Sequence, residues 1–523
     1  MTDQVDAVVI GAGINGMVAA AELAKAGWSV ELVEASDRLG GFIATEQRTL
    51  PGYLHDTYSS WHPLFVSGPA YRALGEDLRR HGLSYRNTDN LVTASVSGEG
   101  RIVVAHRDPA VTAQAFEHPR DRDAYLGMLE RFGANADVVG ALMGSELRSW
   151  RATRTALPLL RKRRQAGRLL RELASSGRGY LRGEFEGWEV DQLWTPWLLH
   201  AGLGPDHASG GFMLPVLAAT MHGFGLPVVA GGAGRFVAAF SELLDALGVR
   251  VRLSSPVERI LTERGRATGV LSGGVSLRAR RAVLASVTPG ALYGELLEPS
   301  AVRPELRRQA ASFRPGRAAM QVHVALSGPP RWTDARLADV PLLHISDGAA
   351  STGIACAQAE AGLLPSEPTV VVGQQYVLDP DRVPEGAASL WLQLQELPWQ
   401  PRGDGAGRLD ADGWSAELGA AYAERVLDRV ARYAPGLRSL VRGMDVITPA
   451  DLAAANRNAM AGDPYGGSAE LDQNLLWRPL PSAARHRTPV RGLWHIGAST
   501  HPGPGLAGAS GHLVAGALTG RKT

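Results

Sequence analysis

The first forty residues contain two kinds of apolar pattern, the short runs typical of strands and the spaced positions typical of a helix. Residues 6–10 form a short apolar run rich in valine, which predicts a strand buried on both faces. Residues 14–26 have a helical spacing of apolar positions, and Gly27 follows them as a C-terminal glycine. Residues 29–34 predict a second strand. The order of these elements predicts a βαβ unit at the start of the chain.

The rest of the chain divides into helical and strand-forming regions. Residues 66–225 are mostly helical in pattern and lack the βαβ alternation. Short apolar runs at 249–253, 281–286 and 493–496 predict further strands, and residues 507–518 predict a helix after the last of them. We therefore expect an α/β protein with a largely helical insertion.

Composition narrows the class of protein. A length of 523 residues allows about three compact units, and 45% hydrophobic with 20% charged residues is typical of a globular chain. Cys356 is the single cysteine, which excludes internal disulfides and Cys-rich metal sites, and nothing else in the sequence resembles a metal site. Neither a run of 18 apolar residues nor a signal peptide is visible, so we expect a cytoplasmic protein.

One segment departs from the near-neutral net charge of +2. Residues 148–182 contain eleven basic residues and one acid, Glu172, interleaved with Trp150 and several leucines. An amphipathic basic helix of this kind suits an anionic membrane surface. A solvated arginine-rich helix pair whose leucines pack inwards explains the same pattern. Peripheral membrane contact is thus one of two interpretations, and nucleic-acid binding is not expected because no recognised binding module accompanies the charge.

A glycine-rich turn joins the first predicted strand to the first helix. Gly11, Gly13 and Gly16 have the spacing G-x-G-x-x-G, and Glu34 ends the second strand 18 residues after Gly16. In a dinucleotide-binding unit the first glycine permits a tight turn, the second lets the backbone approach the pyrophosphate, and the third lets helix and strand pack closely. The acid accepts hydrogen bonds from a ribose. The complete pattern predicts a dinucleotide site.

The residues after Glu34 indicate which dinucleotide is bound. Glu34, Arg38, Gly40 and Gly41 form the string E-x-x-x-R-x-G-G, which resembles the extended fingerprint of flavoproteins of the amine oxidase and phytoene desaturase superfamily. The resemblance implies that the arginine and the two glycines lie along the pyrophosphate and ribityl chain, and that the backbone of Val257 meets the adenine. It implies FAD as the cofactor.

The C-terminal region contains a second glycine-rich loop. Gly497, Ser499, His501, Gly505 and Leu506 lie between the last predicted strand and the last helix, where amides at a helix N-terminus suit negative charge on a reduced flavin ring. The string resembles the C-terminal signature of the phytoene desaturase-like flavoproteins. The resemblance implies non-covalent FAD, with Ser499 near the ribityl or phosphate groups and the Leu506 amide near flavin O2.

The resemblance runs along the whole chain and implies its organisation. The expected fold is α/β, with a Rossmann-like, GR2-type FAD-binding domain interleaved with a mixed α+β substrate-binding domain. The FAD-binding domain is expected in three parts, and the substrate-binding segments lie between them; in chain order the boundaries are 1–65 (FAD), 66–225 (mostly helical substrate or lid domain), 226–295 (FAD), 296–455 (substrate) and 456–523 (FAD).

Three side chains are candidates for acid–base chemistry. Asp56 and His62 follow the glycine pair, where the chain in this superfamily enters the substrate cavity, and His501 lies in the C-terminal loop. Each also has a structural interpretation: Asp56 and His62 could bridge loops by hydrogen bonds, and His501 could fix its own loop. A strong base is not required, because a cation conjugated to a polyene loses its proton easily.

These observations predict an FAD-dependent oxidoreductase that acts on an apolar, unsaturated substrate by hydride transfer to or from flavin N5. Oxygen or a quinone is the expected electron acceptor, because the sequence shows no independent NAD(P) domain. A flavin amine oxidase is one alternative. A non-catalytic, flavin-free protein of the same fold that binds a lipid or a partner, as in the Rab GDP-dissociation inhibitors, is the other.

Overall fold

A computed structural model of the protein describes residues 4–150, 152–154, 157 and 163–520. The middle of the basic segment, including Arg151, Arg161 and Lys162, lies outside the described residues. Among the described residues, none of the helices combines the length and the apolar character that crossing a bilayer requires.

The strands run in chain order as β1 (Gln4–Ile10), β2 (Val30–Val33), β3 (Thr45–Glu46), β4 (His55–Asp56), β5 (Tyr85–Arg86), β6 (Leu91–Val96), β7 (Ile102–His106), β8 (Val228–Val229), β9 (Arg250–Arg252), β10 (Val257–Glu263), β11 (Arg266–Ser272), β12 (Val275–Ser286), β13 (Ala318–Leu326), β14 (Leu342–Ile345), β15 (Leu363–Leu364), β16 (Val370–Gly373), β17 (Ala388–Leu397), β18 (Gly403–Asp404), β19 (Val441–Ile447) and β20 (Leu493–Ile496).

The α-helices are α1 (Ile14–Lys25), α2 (Pro63–Ser67), α3 (Pro69–Arg80), α4 (Pro109–Gln114), α5 (Pro119–Gly133), α6 (Ala136–Met143), α7 (Arg163–Ala174), α8 (Gly177–Glu184), α9 (Glu189–Trp194), α10 (Gly210–Phe224), α11 (Gly234–Ala246), α12 (Pro304–Ala311), α13 (Ala349–Glu360), α14 (Ala416–Ala431), α15 (Leu437–Leu440), α16 (Pro449–Ala455) and α17 (Ala509–Thr519).

The first sheet is built from both ends of the chain and its middle. Its parallel strands follow the order β20-β12-β1-β2-β9, and β10 and β11 extend the first half of β12 as an antiparallel meander. Strand β1 lies in the centre, so side chains on both of its faces are buried, as its continuous apolar run predicts. Helices α1, α11 and α17 cover one face, and residues around Tyr293 and Leu306 cover the other.

The second sheet has the order β19-β13-β17-β16-β14-β6-β7 and is antiparallel except where β14 pairs with β6. One of its faces packs against α14 in an apolar core. The other face lies towards the mostly helical segment that contains α5 and α8–α10. Strands β6 and β7 come from residues 66–225, so this segment is helical only in part. These two strands complete a sheet whose other strands lie far along the sequence, and a local pattern does not indicate such pairing.

Candidate cofactor and active site

The glycines of the first turn have three different environments. Gly11 has φ +88°, and a Cβ there would lie 3.0 Å from the carbonyl oxygen of Ser286. A Cβ on Gly16 would lie 1.9 Å from the carbonyl oxygen of Gly11, so helix α1 and the turn are in backbone contact. A Cβ on Gly13 would meet nothing within 4 Å. The space beside the turn is therefore filled at Gly11 and Gly16 and empty at Gly13. In a dinucleotide-binding fold this second glycine is the position at which the backbone approaches the pyrophosphate.

A second loop lies beside Gly13. The Gly40 amide donates to the Ala12 carbonyl at 2.9 Å, and a Cβ on Gly41 would lie 3.5 Å from Cα of Gly13. Gly40 and Gly41 both have positive φ, +105° and +58°, a conformation that favours glycine. The half-buried Arg38 guanidinium lies 5.7 Å from the ring centroid of Tyr58. The two glycine motifs of the sequence thus form one cradle.

Glu34 connects this cradle to the segment before β10. Its Oε2 accepts a hydrogen bond from the Ala12 amide at 2.6 Å, and its Oε1 accepts from the Ser36 amide at 2.9 Å. Its carbonyl accepts from the Ser255 amide at 2.8 Å. Val257 begins β10 two residues after Ser255, so it lies close to Glu34.

The C-terminal loop meets the first turn at Ser286, the last residue of β12. Gly497 has φ +108°, and a Cβ there would lie 3.0 Å from Oγ of Ser286. The Gly497 amide donates to Oγ of Ser510 at the start of α17. A Cβ on Gly511 would lie 2.0 Å from the Asn15 carbonyl, so α17 packs directly on α1. The two termini of the chain therefore close on the same site.

The remaining predicted residues of this loop are placed as follows. Ser499 is buried, and a Cβ on Gly466 would lie 3.0 Å from its amide nitrogen. Gly505 has φ +121° and packs against Leu64, and Leu506 is half-buried against the core of the first sheet.

His501 connects the loop to the helical segment. Its Nε2 donates to the Leu142 carbonyl at the end of α6 (3.2 Å), and its own carbonyl accepts from Nε2 of His486 at 2.8 Å. Burial, with a smaller effect of His486, lowers the pKa of His501 to about 4. The ring is therefore neutral at pH 7, and Nδ1 is a buried acceptor without a partner among the described residues.

His62 lies in an aromatic cluster. Its ring packs edge-on against Phe236 with centroids 5.0 Å apart, and its Nδ1 lies 3.0 Å from the Tyr85 hydroxyl. The side chain is fully buried, and burial lowers the pKa of His62 to about 4. This packing favours the structural interpretation of His62.

Asp56 is the centre of a buried ion-pair network. Its Oδ2 accepts from Nη1 of Arg382 at 2.6 Å and from Ser60, and its Oδ1 accepts from the Ala233 amide at 2.7 Å and from Oγ1 of Thr45. Burial opposes its ionised form, but Arg382 and these hydrogen bonds hold the pKa of Asp56 below its ordinary value. Both oxygens are occupied, so the geometry favours a structural role for Asp56 over proton transfer.

Comparison with known proteins identifies the family. Residues 14–391 match the family model of the flavin containing amine oxidoreductases. The chain belongs to this family. The match begins directly after Gly13, includes Gly16, Gly40 and Gly41 and most of the second sheet, and confirms the resemblance to this superfamily that the sequence motifs indicated.

Relatives of this flavoprotein are distant but cover nearly its whole length. Pyridine nucleotide-disulfide oxidoreductase domain-containing protein 2 of Rattus norvegicus is 27% identical over 98% of this chain and 92% of that protein. Hydroxyneurosporene desaturase of Cereibacter sphaeroides is 27% identical over 98% of this chain and 97% of that protein. The structure of cyclohexylamine oxidase from Brevibacterium oxydans aligns with a TM-score of 0.59 at 18% identity, covering 99% of both chains. These likenesses confirm the α/β flavoprotein fold.

The protein is an FAD-dependent oxidoreductase, and its residues fit that cofactor. The open space at Gly13, the adjoining Gly40 and Gly41, and the α1 N-terminus form a cradle for a pyrophosphate. Glu34 directly follows β2, where an acid of a dinucleotide-binding fold is expected to meet the ribose. The roles predicted for the individual residues of the cradle and of the C-terminal loop remain predictions.

Three residues of this flavoprotein's site escaped the sequence analysis. Ser286 stands between the two glycine loops, and Nδ2 of Asn458 donates to its carbonyl at 3.0 Å. Arg478 is fully buried beneath the C-terminal loop and donates to the Ala498 carbonyl at 2.7 Å. Neither Ser286 nor Asn458 lies in a motif. Arg478 precedes Pro479 in a short string that resembles the phytoene desaturase-like flavoproteins, which was the available indication.

Proposed function

We propose that this flavoprotein dehydrogenates an apolar, unsaturated substrate. FAD held in the glycine cradle would supply the hydride acceptor. The substrate would lose a hydride from one carbon and a proton from its neighbour, so that two hydrogen atoms leave and one double bond forms. The distant likeness to a hydroxyneurosporene desaturase supports an apolar substrate.

The observation that carries the proposal is the path of the chain from the cradle to the second sheet. Phe42 follows Gly41, and its ring lies 4.8 Å from that of Tyr58. The Tyr58 carbonyl accepts from Nε2 of Gln321 on β13 at 2.5 Å. The segment that leaves the cofactor cradle therefore lies on the second sheet, which supports a substrate position between the flavin and that sheet.

Anaerobic reduction of the bound flavin tests this function. The FAD-loaded protein is mixed with a polyene, an unsaturated fatty acyl compound, an amine or NAD(P)H, and the loss of oxidised flavin absorbance is followed. We expect the unsaturated compounds to bleach the flavin. Bleaching by amines alone would establish the amine oxidase alternative, and a protein that takes up no FAD would be a binding protein.

We propose oxygen or a quinone as the acceptor that reoxidises the flavin. Gly231 and Gly232 form a further glycine-rich turn between β8 and α11, which begins at Gly234. Strand β8 pairs with β5 and not with a second nucleotide-binding sheet, which supports the absence of NAD(P) from the reaction. The rate of flavin reoxidation by oxygen and by a soluble quinone, after reduction by substrate, decides between them. Faster reoxidation by NAD(P)⁺ than by either would contradict the proposal.

We propose His501 as the proton acceptor. A neutral imidazole with a pKa of about 4 is a weak base at pH 7, which suffices when the proton is acidic. His501→Ala should slow flavin reduction by about 100-fold, the lower end of general-base contributions, while FAD content is unchanged. Undiminished reduction by the variant would leave His501 with its loop-fixing contacts only.

We also propose peripheral contact with an anionic membrane through the basic segment. Trp150 is 77% exposed and Leu170 on α7 is 63% exposed, although both side chains are apolar. The guanidinium of Arg148 donates to the Pro481 carbonyl at 2.8 Å, which attaches this segment beside the C-terminal loop. An apolar substrate in a bilayer would therefore meet the protein near its cofactor.

Sedimentation with vesicles tests the membrane contact. The protein should sediment with phosphatidylglycerol vesicles and stay in solution with phosphatidylcholine vesicles. A Trp150→Ser/Leu170→Ser variant should lose this binding, whereas Trp399→Ser, which removes another exposed tryptophan, should retain it. Protein wholly in the supernatant with both vesicles would contradict the proposal.

A further inference from the structure

The face of the second sheet that lies away from its apolar core carries polar side chains. Direct cross-strand pairs place Gln321 beside Gln393 and His323 beside Trp391, and Val371 pairs with both Gln393 and His344. We call this set the inner face: Gln321, His323, His344, Trp391, Gln393 and Gln395. All six side chains are neutral or are histidines, and all six residues are buried.

Most of these side chains hold one polar atom without a partner among the described residues. The unpaired atoms are Oε1 of Gln321, Nδ1 of His323, Nδ1 of His344, Nε1 of Trp391 and Oε1 of Gln395. The side chain of Gln393 forms no hydrogen bond with any described residue, although its backbone lies in the sheet. Buried polar groups in proteins are nearly always paired, so a cluster of unpaired ones on one surface indicates a missing partner.

The other ends of three of these side chains are anchored, which fixes their orientation. Nε2 of Gln321 donates to the Tyr58 carbonyl at 2.5 Å, and Nε2 of Gln395 donates to the Tyr465 hydroxyl at 2.5 Å. Nε2 of His323 donates to the Thr57 carbonyl at 3.1 Å. The unpaired atom of His323 is therefore a lone pair, and burial lowers the pKa of His323 to about 3, so the ring stays neutral.

The inner face combines donors and acceptors without a charge. Oε1 of Gln321, Oε1 of Gln395 and Nδ1 of His323 accept hydrogen bonds, whereas Nε1 of Trp391 donates. The carboxylate on the neighbouring strand, Asp445, is paired with Arg48 at 2.5 Å. A cationic amine would lack a counter-charge here, and a hydrocarbon would leave every polar atom unpaired.

We propose that the inner face binds a hydroxyl group of the substrate, so that the substrate is a neutral, unsaturated alcohol. A hydroxyl donates one hydrogen bond and accepts others, which matches the mixed set on this surface. The inference rests on the proposed function because it names the substrate class of that site. The Thr57–Tyr58 segment contacts the inner face and follows the cofactor cradle, so a hydroxyl bound to this face would lie beside the segment that leaves the cradle.

The test compares two ligands of equal length. A long-chain unsaturated alcohol and the hydrocarbon that lacks only its hydroxyl are titrated into the FAD-loaded protein, and the Kd is read from the perturbation of flavin absorbance. The alcohol should bind at least 10-fold more tightly. Gln393→Leu and Trp391→Phe, which keeps the aromatic ring, should each reduce this preference several-fold, because the alcohol loses a hydrogen-bond partner that the hydrocarbon does not use.

Gln374→Leu is the matched control. Gln374 is buried behind the sheet, where Nε1 of Trp332 donates to its Oε1 at 3.0 Å and its Nε2 donates to the carbonyls of Leu337 and Val340. This variant should lower the thermal unfolding midpoint and keep the alcohol preference. Gln393→Leu should instead keep the midpoint of the ligand-free protein, because the side chain it removes forms no hydrogen bond with the described part of the chain.

The outcomes separate this inference from the proposed dehydrogenation. Equal affinities for the two ligands would overturn the inference, even if the hydrocarbon bleached the flavin. A Gln393→Leu variant that loses stability like Gln374→Leu and keeps the alcohol preference would also overturn it. Tighter binding of the alcohol without flavin reduction by either ligand would support the inference and contradict the dehydrogenation.

Discussion

Gly13 and Gly16 belong to one turn, yet a methyl group added at each would meet different surroundings. The position at Gly13 faces open space, whereas the position at Gly16 is filled by the Gly11 carbonyl. Gly13 also has φ −67°, which any residue adopts. The sequence motif therefore contains one position that is open to a ligand and one that is filled by backbone packing.

Two alanine variants should separate these roles. Gly16→Ala should destabilise the FAD-free protein by about 1–3 kcal/mol, the cost of overpacking. Gly13→Ala should change that stability by less than about 0.5 kcal/mol and weaken FAD binding. Urea unfolding of the FAD-free protein and FAD titration measure both effects. Equal loss of stability in the two variants would contradict the assignment.

Arg382 offers a second prediction at the scale of single residues. Its Nη1 pairs with Asp56 at 2.6 Å and its Nε with Asp379 at 2.9 Å, and all three side chains are buried. Arg382→Met should destabilise the protein by about 3–5 kcal/mol at pH 7, because it leaves buried carboxylates without their cation. Arg336→Met, which removes an exposed pair with Asp334, should cost less than about 1 kcal/mol.

The effect of Arg382→Met should depend on pH with a definite sign. The folded-state pKa of Asp56 lies below its ordinary 3.8, so its contribution in the wild type is present above about pH 4 and is lost as pH falls. Without the guanidinium, burial raises the Asp56 pKa and protonation restores stability. The deficit of the variant, measured by urea unfolding, should shrink from pH 7 to pH 5; a constant deficit would mean that Asp56 is not the affected group.

At the scale of elements, the contact of α1 with α17 joins the two ends of the chain. A Cβ on Gly511 would lie 2.0 Å from the Asn15 carbonyl, and a Cβ on Gly508 would lie 2.6 Å from the Val18 side chain. The helices approach this closely only because both contact positions are glycine. The apolar patterns of the two segments predict both helices but not their contact, because the segments are almost 500 residues apart.

Gly511→Ala tests the importance of this contact for the cofactor. The added methyl group would force α17 away from α1 and shift the loop that begins at Gly497, so both stability and FAD affinity should fall; the stability loss should be about 1–3 kcal/mol. Gly223→Ala in α10, whose Cβ would meet nothing within 4 Å, should be neutral or slightly stabilising. Thermal unfolding and FAD titration of both variants provide the comparison.

At the scale of the whole molecule, the first sheet takes its strands from residues 4–33, 250–286 and 493–496. The chain leaves this sheet twice and returns each time, so the cofactor site cannot form until distant segments have met. FAD binding should therefore stabilise the molecule as a unit, and not one terminal part of it.

Calorimetry tests this coupling. FAD at 100 times its Kd should add about 2.7 kcal/mol to the free energy of unfolding, with the whole transition moving to higher temperature. Two transitions, of which FAD shifts only one, would show that the two sheets unfold independently.

The sequence by itself determined the local elements and the cofactor. The apolar run of β1 and the glycines of its turn act over a few residues, so their pattern predicts the βαβ unit and a dinucleotide site. The resemblance of the E-x-x-x-R-x-G-G string to a flavoprotein fingerprint implies FAD. The C-terminal loop was recognised for the same reason. These features are local because a tight turn and a close backbone approach depend on adjacent residues.

Only the tertiary structure decided what the remaining polar residues do. It placed Asp56 in an ion pair with Arg382, 326 residues away, and it turned six neutral polar side chains of three strands onto one buried face. Their sequence context is an alternation of apolar and polar residues, which predicts strands but not what faces the polar side. What faces the polar side depends on strand order and register. Long-range pairing sets both, so a local pattern does not contain them.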